Sequence, residues 1–171
     1  MRFAGEGVEF YWSIIRVPLL ILVGWHVVSL MAGIFWFDAV YKEVFANSLV
    51  GNVVPLALFV IAGYLAVAEH GAGNGQAAWS GALTGLLGGA AAAVVGVLAI
   101  KFTPLLEWSV EQALAQAAAS GETMGRETMR GMTRVFMTIG LALSPVFSAL
   151  IGALAGLGGG AVARPGENEK L

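Results

Sequence analysis

The sequence predicts an all-α integral membrane protein: four transmembrane helices, with an amphipathic interfacial helix between the third and fourth. Three observations lead there. Of 171 residues, 58% are apolar and only 12% charged, whereas soluble domains carry about a quarter charged residues. Four apolar runs free of Asp, Glu, Lys and Arg reach the ~20 residues that cross a ~30 Å hydrocarbon core. Those runs are continuous rather than alternating with period two, which points to helices and not to barrel strands.

The remaining composition narrows the function classes. High hydropathy, a mean of +0.81, excludes a disordered chain. A formal charge of −2 gives no basic field for nucleic acid. No cysteine is present, so disulfides, thiolate metal sites and cysteine nucleophiles are all excluded.

The first span, 17–37, holds only His26 and Ser29 as polar members and is bracketed by Phe10, Tyr11, Trp12 and by Phe35, Trp36, Phe37, Tyr41. That is the pattern of an interfacial aromatic belt. Glu6 and Glu9 precede it and no small-residue cleavage site follows, so it does not read as a cleaved signal peptide. A short amphipathic link, 38–48, leads to the second span, 49–68, with Asn52 near its start and Pro55 one turn in. Residues 69–80 carry three glycines and an Asn-Gly pair and read as a surface loop. The third span is 81–100. The fourth is 135–161, where Pro145 removes one backbone hydrogen bond and predicts a kink.

The third connection is the most organised polar stretch. Thr103 and Pro104 are N-cap and first-turn residues for a helix over 104–120. Leu106, Val110, Leu114 and Ala117 form its apolar stripe, and Ser120-Gly121 its stop. Residues 122–134 form a helical lead-in on which Arg126, Arg130 and Arg134 share one face. They suit a contact with anionic lipid head groups or an acidic partner, or else an exposed face pairing with Glu122 and Glu127. The polar tail, 163–171, is expected to fray. The whole chain, 1–171, reads as a single transmembrane domain. Cations divide between the two sides four against five, so the positive-inside rule sets no orientation.

Two similar segments, GALTGLLGG at 81–89 and GALAGLGGG at 152–160, place Gly81, Gly85, Gly89 and Gly152, Gly156, Gly160 on small-residue ridges. In an antiparallel pair of helices these ridges lie at one depth and allow close backbone approach. Coincidence in a chain with 24 glycines is the alternative. Gly88, Ala92 and Gly96 extend the small face of the third span.

His26, the titratable group near the bilayer midplane, is the candidate ligand residue. It suits a haem or pigment metal as an axial ligand, a proton relay, or a plain interhelical hydrogen bond to Tyr64 or to a carbonyl near Pro145. His70, at a membrane surface, lies at a different depth. Catalytic patterns are missing: no Gly-x-Ser-x-Gly, His-Glu-x-x-His, P-loop or intraspan carboxylate pair occurs. The leading expectation is a non-catalytic multi-pass membrane subunit packing against partner chains or further copies of itself. The alternatives are a small homo-oligomeric transporter or channel with a path past Asn52 or His26, and a haem- or pigment-binding subunit.

Overall fold

The computed structural model describes residues 7–46 and 49–164. Over these the chain is all helical, with no strand. The order is α1 (Gly7–Phe35), a π-helix (Phe37–Ala46), α2 (Leu49–His70), α3 (Asn74–Phe102), α4 (Leu105–Ala119) and α5 (Arg126–Val162). Helices α1, α3, α5 and the Gly51–His70 part of α2 are long and apolar enough to cross a membrane, the mark of a multi-pass membrane protein.

Helix ends depart from the apolar limits in an instructive way. Helix α1 starts ten residues before the expected 17, with Pro18 buried inside it and Arg16 exposed on it. Helix α3 starts at Asn74, so the expected loop 69–80 shrinks to three residues. Apolarity marks where a helix meets hydrocarbon, whereas helix ends follow backbone chemistry. Gly71, at φ +60°, closes α2 in the left-handed conformation that glycine tolerates. The Gln76 side chain accepts the Gly73 N–H at 2.9 Å and caps α3. Asn-Gly at 74–75 therefore opens a helix instead of turning a loop.

The link 38–48 is a π-helix as far as Ala46, and residues 47–48 lie outside the described residues. Its wider turn lines up side chains four apart. Phe37 stacks on Tyr41 at 5.3 Å and Tyr41 on Phe45 at 6.2 Å between centroids. Lys42 pairs with Asp38 at 2.6 Å and lies over the Phe37 and Trp108 rings, tying this segment to α4. Burial pushes the Tyr41 phenol above its ordinary pKa.

Helix α4 starts one residue later than expected. The Thr103 hydroxyl accepts the Leu105 N–H at 3.2 Å while donating to the Ala99 carbonyl at 2.7 Å, so it closes α3 and opens α4 together. Leu106 and Val110 of α4 bury against Met129 of α5. The lead-in and the fourth span form one 37-residue helix that continues through Pro145. Of the tail, residues 165–171 lie outside the described residues. Arg164, expected to fray, instead bonds the Asn74 side chain at 3.3 Å and the Ala72 carbonyl.

Candidate functional site

Helices α3 and α5 share the most extensive contact, followed by α2 and α5. Glycine makes both possible. A Cβ at Gly81 would collide with the Gly152 carbonyl and lie 2.9 Å from Gly156 Cα; one at Gly85 would collide with the Ser148 carbonyl. Backbones this close leave no room for even a methyl group.

The register differs from one ridge laid evenly on the other. Gly81 and Gly85 overlap Gly152 and Gly156, but the outer members slide past. A Cβ at Gly89 would lie 2.7 Å from Pro145 Cα, and one at Gly160 would meet the Ala77 and Val67 side chains. The paired ends are thus offset by one to two turns, because Pro145 and Ser144 occupy the depth of Gly89. There the Ser144 hydroxyl donates to the Gly89 carbonyl at 2.9 Å. Of the third set, Gly88 receives the Leu22 side chain of α1 and Gly96 that of Leu141.

Two glycines escaped the sequence reading. Gly63 of α2 would place a Cβ 2.5 Å from Gly156 Cα, and Gly159 would place one against the Val60 carbonyl. Gly156 therefore stands where α2, α3 and α5 meet. The available signal was the small-residue run Ala62, Gly63, Ala66 on α2, with Gly159 beside an already crowded ridge.

His26 lines a cleft of about 420 Å³ between α1, α2, α3 and α5, together with Leu22, Asn52, Pro55, Phe59 and Ser148. Its imidazole makes no hydrogen bond among the described residues, to Tyr64 or to a carbonyl near Pro145. Its neighbour Trp25 packs on Phe45 instead. His70 lies at the far end of α2, edge-on to Phe10 at 5.4 Å. The two histidines are not brought together, and no group of three metal-binding side chains occurs among the described residues.

The arginines divide. Arg130 pairs with Glu107 at 2.8 Å, and Arg126 reaches Glu111 at 3.3 Å and Glu107 at 3.6 Å. Their partners are on α4, not Glu122 and Glu127. Arg134 has no carboxylate partner among the described residues and borders a groove between α3 and α5. No protein-family model matches the chain, and neither does any curated protein or solved structure.

Proposed function

We propose that the chain is a non-catalytic multi-pass membrane subunit that packs against other membrane chains, in the first place further copies of itself. The outer face of α5 carries this reading. Gly140 and Gly158 have open space over their Cα atoms and stand five turns apart on one face. Between them, at heptad spacing, run Leu143, Phe147, Leu150 and Leu154, each 44–71% exposed. Against fluid lipid a small residue gains nothing, but against another helix it lets backbones approach, and heptad spacing suits a left-handed crossing. In this reading α4 lies along the membrane surface. Native mass spectrometry of the gently extracted chain tests it. A multimer that Gly140→Leu dissociates is expected. A monomer, or a multimer that the substitution leaves intact, overturns it.

A second reading has its own observation, the cleft beside His26. A mostly apolar recess with three polar side chains has the character of a small-ligand site, as a transporter or a His26-ligated pigment protein would need. Visible absorbance of the purified chain, lost in His26→Gln, supports the pigment form. Liposome transport that Asn52→Leu abolishes supports the other, and the absence of both signals removes the reading.

A further inference from the structure

The groove between α3 and α5 has a polar end and an apolar body. Its volume is about 490 Å³, and its lining is Ala93, Val94, Val97 and Ile100 from α3 with Arg134, Thr138, Leu141 and Ala142 from α5. The helices run antiparallel, so Arg134 and Ile100 mark one end and Ala142 and Ala93 the other. The eight steps from Arg134 to Ala142 cover about 12 Å of helix. Beyond Ile100, Lys101 stands one turn past Val97 on the same face of α3 and is exposed. Thr138 has already committed its hydroxyl proton to the Arg134 carbonyl at 2.8 Å.

Charge sets this end apart from the rest of the arginine stripe. Glu107 and Glu111 neutralise Arg126 and Arg130. Arg134 and Lys101 have no carboxylate within ion-pair distance among the described residues, and they lie where the polar lead-in of α5 passes into its apolar span. A cation there is matched by a phosphate, because an arginine fork donates to two of its oxygens at once. The apolar body has room for on the order of 16 water-sized groups, about that many methylenes.

We propose that this groove holds one acyl chain of an anionic phospholipid whose phosphate rests on Arg134. The site is then one specific lipid seat on the α3–α5 face, and Arg126 and Arg130 serve the α4–α5 hairpin instead. The proposal requires that the chain sit in a bilayer and is independent of whether copies assemble.

The test uses the full chain in neutral detergent, titrated with phosphatidylglycerol or phosphatidylcholine of equal chain length and read by native mass spectrometry. Phosphatidylglycerol retention is expected to exceed that of phosphatidylcholine about fivefold. Arg134→Gln removes that preference, Arg126→Gln keeps it, and Ala142→Leu, which fills the groove, lowers retention of both lipids. Inorganic phosphate at millimolar concentration does not displace the lipid. An unchanged preference in Arg134→Gln overturns the proposal, as does equal loss in Arg126→Gln, which would mean a diffuse charged surface. Full retention in Ala142→Leu, or displacement by free phosphate, overturns the acyl-chain seat. The ratio of the two lipids is read within each variant, so misfolding of Arg134→Gln lowers both and does not imitate its lost preference, and an unchanged unfolding temperature in detergent shows that Ala142→Leu acts on the groove and not on the fold. A chain that retains neither lipid fails the membrane reading itself.

Discussion

The two halves of α5 are held by opposite means. At Gly152, Gly156 and Gly159 the helix is fixed by what it lacks: no side chain stands between its backbone and those of α2 and α3. From Arg126 to Met137 it is fixed by what it carries. Met129 packs on Leu106 and Val110, and Arg126 and Arg130 reach two carboxylates of α4. Where water is absent no hydrophobic effect draws helices together, so close packing has to do so. With α4 along the membrane surface, as proposed, ordinary burial of Leu, Val and Met would be available where it meets α5. One continuous helix thus crosses between two regimes of attachment.

The contrast breaks first at Gly156. Gly156→Leu must displace α3 backbone at Ala77 and Gly81, so it should cost about 3 kcal/mol by overpacking. Gly140→Leu on the open face should change monomer stability by less than about 0.5 kcal/mol. Reversible unfolding in detergent compares them, and equal losses would erase the distinction between the two faces. Next comes the other half. Leu106 is 5% exposed, and Leu106→Ala should cost about 2 kcal/mol by leaving a cavity. Hydrogen exchange should then rise in α4 and the first turns of α5 while staying unchanged at Gly152–Gly160. A uniform rise would mean that the two regimes unfold as one. The smallest effect is at their junction. Ser144→Ala removes the bond to the Gly89 carbonyl and should cost about 0.6 kcal/mol, the average for such interhelical bonds. A loss several times larger in the same unfolding assay would make Ser144 a principal tie of the α3–α5 seam.

Much of this arrangement was legible in the residues, and the part that was not has a physical cause. Four long apolar runs mark the membrane-crossing helices because hydrocarbon tolerates nothing else at that length. The start of α1 and of α3 was hidden because charged, aromatic and glycine residues at a membrane surface are compatible with helix and loop alike. The glycine spacing announced close approach between α3 and α5. It could not reveal the offset, which depends on Pro145 and Ser144 meeting Gly89, nor the part played by Gly63, a single small residue with no ridge of its own. The arginine spacing showed a shared face but not its partners. Glu107 and Glu111 lie a turn and a helix away in sequence, and Glu122 and Glu127 were nearer along the chain.

The glycine seam also imposes an order of events on synthesis. Its two sides, Gly81 and Gly152, are separated by about 70 residues, and α5 is made after the other described helices. At about 5–20 residues per second, the small-residue face of α3 waits roughly 4 to 14 seconds after translation before its partner exists. During that interval a newborn intermediate lacking α5 presents Gly81, Gly85 and Gly89 uncovered. Any insertion factor or neighbouring nascent helix that shields this stripe therefore acts before α5 arrives, and α5 closes the seam by displacing it.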